Sequence, residues 1–273
     1  AVTVLFGITI TSVTVILPQM KGALSATQDQ IAWVLTLNLV ATAAATPLTG
    51  WLAAKLGWRR LVLGSLLGFT ASSAACGAAD SFESLLIFRV IQGVFGAPIF
   101  PMGQSIILAR FEKHQHPMAL MMWGVGGVMG PILGPTFGGL IGDLLDWRWS
   151  FFMILPLGLA ACIPVLFSLG NEEKGTARRF DFIGFFCIAI AIGSLQLMFD
   201  RGQRLDWFYS TEIIIECSLA VGFFYFFAVH ATFAREPLFD ARTFRDRNLV
   251  LGILFAFFMG CLLYTSDAAD DRI

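Results

Sequence analysis

The chain is cut into apolar stretches about as long as a bilayer is thick. A helix crossing the hydrocarbon core needs about 20 mostly apolar residues. Such runs occupy residues 1–19, 30–53, 60–79, 84–109, 117–142, 150–169, 182–199 and 212–233, and another begins near 248. The breaks at 55–60, 110–113, 171–174 and 242–247 carry charges and turn formers. Every connection is short, so no soluble domain fits between the runs. Polar residues inside the runs recur at helical spacing, and no ten-residue alternating segments suggest a transmembrane barrel. The fold class that follows is an all-α polytopic membrane protein.

Composition agrees. Hydrophobic residues make up 57% of the 273 and charged residues only 14%, where a soluble domain carries about a quarter charged. Too little polar surface exists to face water all round, so lipid is the solvent for much of the exterior. A net charge of -1 leaves no electrostatic footprint for nucleic acid. The five cysteines (Cys76, Cys162, Cys187, Cys217, Cys261) lie mostly in apolar runs, with no CxxC and no histidine nearby. They read as small core residues, and no metal or cofactor is called for. His114 and His116 sit in a connection and His230 ends a run.

Loop charge sets orientation, because cytoplasmic loops carry the excess of Lys and Arg. One alternating set of loops holds Lys55, Arg59, Arg60, Arg110, Lys113, Lys174, Arg178, Arg179, Arg235, Arg242, Arg245 and Arg247. The other holds Lys21, Arg148, Arg201 and Arg204. Twelve against four predicts a cytoplasmic N-terminus and an outward first hairpin. Both ends read as incomplete. Residue 1 is not Met, and the run from Leu249 gives way after about Gly260 to a tail (261–273) that resembles a translated sequencing adapter and is expected to be non-native.

Several motifs carry more than hydropathy. The 50–60 connection reads GWLAAKLGWRR, where Gly50 and Gly57 bracket a reversal and Arg59 and Arg60 can meet helix carbonyls or anionic headgroups. Arg89 lies one to two turns inside the fourth run, with Gln92 and Gly93 on its face. A cation at that depth needs an acid, carbonyls or water, so Arg89 lines a polar cavity, snorkels to the outer interface, or is pinned as helix glue. In the fifth run Gly126, Gly130, Gly134, Gly138 and Gly142 recur every fourth residue, thickened by Gly127 and Gly139 and interrupted by Pro131 and Pro135. Such a small-residue stripe lets helices pack backbone to backbone. Glu216, one turn into the eighth run, is a functional candidate by default, or an interfacial packing residue. Asp80 and Glu83 are acids near the outer end of the fourth run. No G-x-S-x-G, H-E-x-x-H or Walker-type G-x-x-x-x-G-K-[ST] occurs, so uphill transport would draw on an ion gradient or on another subunit.

These motifs resemble the major facilitator superfamily. The 50–60 string resembles its G-x-L-a-D-r-x-G-r-k loop, with Ala54 at the usual acid. The Arg89 string resembles its R-x-x-q-G fourth-helix motif, implied to act in proton coupling. GPTFGG at 134–139 resembles the antiporter motif of its fifth helix, here Gly130, Gly134, Pro135, Gly138 and Gly139, which would bend at the interface between two halves. Residues 146–152, 156–158, 180–184, 200–202 and 206–208, with 194–196, resemble the fourteen-helix drug:proton antiporters of the EmrB/QacA type. The resemblance implies a six-helix N-terminal bundle over 1–170, a linker and extra helix pair over 171–247, and the start of a ninth span over 248–260. It implies a secondary exporter of lipophilic compounds in the bacterial inner membrane, exchanging drug for protons by alternating access. The expected pathway residues are Arg89, Gln92, Gly93, Thr9, Thr14 and Gln104. Thr9 and Thr14 stand where the family's first helix has an acid and an Asn, so the proton site must move or be absent. A periplasmic adaptor and an outer-membrane channel are implied as possible partners. A facilitator without proton coupling, and a scaffold or receptor that kept the fold, are the other readings. Lacking most of a second bundle, the chain is not expected to transport alone.

Overall fold

In this computed structural model, the residues described are 2–168, 180–234, 237–239, 246–255 and 258. The connections at 169–179 and 240–245 and the tail after Gly260 lie outside them. Eight long helices follow one another: α1 (Val2–Ala23), α2 (Gln28–Leu56), α3 (Trp58–Gly77), α4 (Phe82–Arg110), α5 (His116–Leu144), α6 (Trp149–Phe167), α7 (Phe182–Gly202) and α8 (Thr211–Phe233). They coincide with the eight complete apolar runs, and no strand occurs among the described residues.

Local chemistry explains the ends. Thr27 caps α2 with a reciprocal box: its hydroxyl accepts from the Gln30 N–H at 3.2 Å, and the Gln30 side chain accepts from the Thr27 N–H at 2.8 Å. This starts α2 ahead of its apolar run. Pro47 does not stop it, because the chain passes through a 3₁₀ turn at Thr46–Leu48 and resumes as helix. Gly57 makes the α2–α3 reversal at φ 82°, a conformation glycine adopts without strain. Gly50 is not part of that turn. It sits inside α2 with nothing within 4 Å of where a Cβ would stand, so Gly57 alone supplies the bend.

Seven of the eight helices are long and apolar enough to cross a membrane. The remaining one, α3, opens on Arg59 and Arg60 and carries Ser65, Thr70, Ser72 and Ser73, all four buried. Its neighbours shield it from lipid, and its hydroxyls bond their own helix: Thr70 to the Leu66 carbonyl at 2.7 Å and Ser73 to that of Phe69 at 2.9 Å. Burial inside the bundle thus lets a less apolar helix span.

Within the six-helix bundle α1 packs on α5, α2 on α4, and α3 on both α4 and α6; α7 packs on α8. Two apolar clusters occupy opposite ends of the bundle. Leu61, Leu66, Phe69, Ile99 and Ile154 anchor one, and Ile16, Ile31, Val34, Leu85 and Phe151 the other. The α7–α8 hairpin lies against α2.

The glycine stripe of α5 is spent entirely on α1. An added Cβ would lie 2.8 Å from the Gly7 Cα at Gly130, against the Thr11 hydroxyl and 3.0 Å from the Ile8 carbonyl at Gly134, and 2.8 Å from the Ser12 backbone at Gly138. The Ser12 hydroxyl donates across the crossing to the Gly134 carbonyl at 2.8 Å. The stripe therefore makes a seam with α1 within the six-helix bundle. Pro135 faces outward, Gly139 borders Val15 of α1, and Gly127 faces Phe100 of α4.

Gly134→Leu should wedge the two helices apart at a cost of about 1–3 kcal/mol or more, whereas Gly64→Ala, in open space on α3, should be neutral or slightly stabilising. Thermal unfolding of the two detergent-solubilised variants checks this; equal midpoints would refute the seam.

Candidate functional site

Arg89, Gln92, Gly93 and Gly96 stand at i, i+3, i+4 and i+7 of α4, hence on one face. That face turns inward. Arg89 is 1% exposed and Gln92 is fully buried. Burial at that level excludes snorkelling to an interface. The guanidinium Nε donates to the Val34 carbonyl at 3.0 Å, and Nη1 donates to the Gln92 Oε1 at 2.5 Å. Gln92 Nε2 in turn donates to the Ser73 hydroxyl at 2.5 Å, and Ser73 donates to the Phe69 carbonyl. Asn38 Nδ2 donates to the Arg89 carbonyl at 2.9 Å. The Phe151 ring covers the guanidinium at 5.7 Å, within cation–π range. Nη2 finds no hydrogen-bond partner among the described residues.

Gly93 makes this possible. A Cβ there would lie 2.5 Å from the Asn38 carbonyl oxygen, so α2 and α4 meet backbone to backbone and the Val34 carbonyl comes within reach of Arg89. The result is a continuous polar chain from α2 through α4 to α3, enclosed by apolar side chains. Asn38, Ser73 and Val34 were not singled out by the sequence reading. Asn38, a lone amide inside an apolar run, was the available signal; a backbone carbonyl leaves none.

The other predicted positions are scattered. Thr9 is buried but bonds the Leu5 carbonyl of its own helix at 2.8 Å. Thr14 is exposed and bonds the Thr11 carbonyl at 2.6 Å. Gln104 is exposed on the second half of α4. Neither threonine hydrogen-bonds to the Arg89 chain. Arg59 is half-buried and Arg60 exposed at the α2–α3 end. Asp80 and Glu83 are exposed at the start of α4, with Asp80 3.7 Å from Arg148. His114 pairs with Glu112 in the connection before α5.

Arg89 does not line the cavities described here. One of ≈1130 Å³ is lined by Thr49, Trp51, Trp58, Met102, Asp181 and Phe239 among others. Asp181, just ahead of α7, accepts from the Gly184 N–H at 2.8 Å, from His230 at the end of α8 at 2.8 Å, and from the Leu238 N–H at 3.2 Å. Burial pushes its carboxyl up, but these donors together outweigh burial and hold it below the ordinary value.

Membrane-length apolar helices packed around a buried, hydrogen-bonded cation are the architecture of a polytopic membrane protein. Residues 1–269 match the Major Facilitator Superfamily, and the chain belongs to that family. It is 40% identical over 241 residues to the multidrug export protein EmrB of Escherichia coli (strain K12), covering 88% of this chain and 47% of that protein. It is 35% identical over 254 residues to the fatty acid resistance protein FarB of Neisseria gonorrhoeae, covering 91% and 50%. The chain thus spans about half the length of these relatives. Among solved structures, a bacterial homologue of the human lysosomal transporter Spinster, inward-facing and unoccupied, superposes with a TM-score of 0.55 at 16% identity, covering 85% of this chain and 61% of that one. A D-xylose–proton symporter superposes with 0.55 at 12%, covering 85% and 66%. At such identities these likenesses speak for the fold alone.

Two outcomes follow from this geometry. Gln92→Leu takes from Arg89 its side-chain acceptor and should cost about 1.5–3 kcal/mol, while the double variant Arg89→Met with Gln92→Leu should recover much of that loss; urea titration of both measures it, and an additive double variant would refute the pairing. For Asp181, a depressed carboxyl contributes stability that is present above its ordinary pKa of 3.8 and is lost as pH falls through the lowered value. The thermal midpoint of the wild type should therefore exceed that of Asp181→Asn at neutral pH, and the gap should close in acid.

Proposed function

We propose that this chain is the N-terminal half, with the extra helix pair, of a secondary exporter that moves lipophilic toxic compounds out across the bacterial inner membrane in exchange for protons. Residues 1–170 form the first bundle, 171–247 the linker and hairpin, and 248–260 the entry to the second bundle. The N-terminus is cytoplasmic, as the loop charge dictates. The printed names of the two relatives, multidrug export and fatty acid resistance, support the substrate class.

The observation that carries the reading is Arg89: a fully buried cation with one nitrogen unpartnered, at the centre of a polar chain that joins three helices. A charge is kept in a membrane protein's interior at several kcal/mol of cost chiefly where it serves transport. Arg89 holds a relay with Gln92 and Ser73, and the α1–α5 seam lets the bundle rock as one body around a midplane site. An uncoupled facilitator is the second reading, favoured by Thr9 and Ala54 at positions where an acid would titrate.

In the full-length transporter carrying this chain, a protonophore should abolish export of a lipophilic fluorescent cation from loaded cells, and Arg89→Ala should do the same without removing the protein from the membrane. Export that continues under the protonophore would favour the uncoupled reading. Unchanged export in Arg89→Ala would end the role assigned to that residue.

A further inference from the structure

Where α7 turns into α8, charges gather on an otherwise apolar hairpin. Arg201, near the end of α7, pairs with Glu212 and stacks 4.7 Å from the Trp33 ring of α2. Arg204 pairs with Asp29 at the start of α2, and the Thr36 hydroxyl donates to Asp200. These groups satisfy one another. Glu216 does not fit the pattern. It is 8% exposed, and its Oε2 has no hydrogen-bond partner among the described residues.

Glu216 is also the deepest acid among the described residues. Asp29, Glu83, Asp143, Asp200 and Glu212 each lie within three residues of a helix end, whereas Glu216 is the sixth residue of α8. The nearest charges are Glu212, one turn back on its own helix, and Arg201 of α7, which pairs with Glu212. Asp200, Arg204, Asp206 and Asp29 complete the charge at this end. Beside Arg201 lies a cavity of ≈190 Å³ lined also by Asp29, Trp33, Thr36, Arg204 and Leu205. Roughly 10–15 Å³ of such space holds one water, so several fit. A buried carboxyl, a cation held one turn away and a chamber beside that cation with room for water are the parts of a proton-exchange site.

We propose that Glu216 binds and releases the proton exchanged for the exported compound, with Arg201 as a counter-ion that alternates between Glu212 and Glu216. The assignment rests on the antiport reading and fills the gap that Thr9 leaves in α1, because a threonine hydroxyl does not titrate in the physiological range. On release, the proton passes from Glu216 to a water of the neighbouring chamber. Arg201 turns from Glu212 to the new carboxylate, and Glu212, 45% exposed, keeps its charge in water. On uptake, a proton from water bonds Oε2, Glu216 becomes neutral and Arg201 returns to Glu212.

Infrared spectroscopy of the full-length transporter in lipid nanodiscs tests this by following the C=O stretch of protonated carboxyl side chains as pH is stepped. The wild type should show a titrating band that E216Q lacks and E216D retains at a shifted frequency. In R201Q the anion loses its counter-ion, so the band should persist to more alkaline pH. If E216Q does not fold, the frequency shift in E216D decides. Identical titrating bands in the wild type and these Glu216 variants would overturn the site whatever the transport mechanism. A Glu216 band that titrates as expected, in a protein whose export ignores a protonophore, would overturn the antiport reading and leave the proton site standing.

Discussion

Hydrocarbon offers no hydrogen bonds, so a polar atom inside this bundle is costly unless another part of the chain meets it. That constraint organises the structure from α1 to α8. The hydroxyls of α3 bond their own carbonyls. Ser12 reaches across to α5, and Arg89 finds Val34 and Gln92. Glycines then act less as flexible points than as places where a missing Cβ brings a carbonyl within range. Gly93 does this for Arg89, and Gly134 and Gly138 do it for Ser12.

The eight helices were legible because length and hydropathy are local properties. α3 shows the limit of that reading. Its polarity is tolerated only through burial by α4 and α6, and burial depends on topology, not on the residues themselves. The Gly50 position illustrates the same point on a smaller scale. Two glycines seven apart suggest a bracketed turn, yet only Gly57 has the backbone conformation that demands one.

The site was legible in part. Arg89, Gln92 and Gly93 announce themselves by helical spacing around a charge. Their partners do not, because a backbone carbonyl such as that of Val34 has no sequence signature and Ser73 lies among several serines and alanines. Thr9, Thr14 and Gln104 came from a motif's register, and register fixes position along a helix without fixing which face a neighbour will cover. The glycine stripe of α5 was read correctly as a close crossing, but a stripe does not name the helix it crosses; α1, with Gly7 and Ser12 at matching heights, takes it.

The order of synthesis gives the cross-helix bonds different histories. Val34, Asn38 and Ser73, the partners of Arg89 and Gln92 on other helices, all precede Arg89 in the chain, so they are already made when α4 is extruded. Ser12 is the reverse case, since its acceptor on Gly134 is 122 residues downstream. The close-packing surface of α1 must therefore wait beside lipid or the insertion machinery until α5 emerges, which makes the first helix among the last to reach its final neighbours.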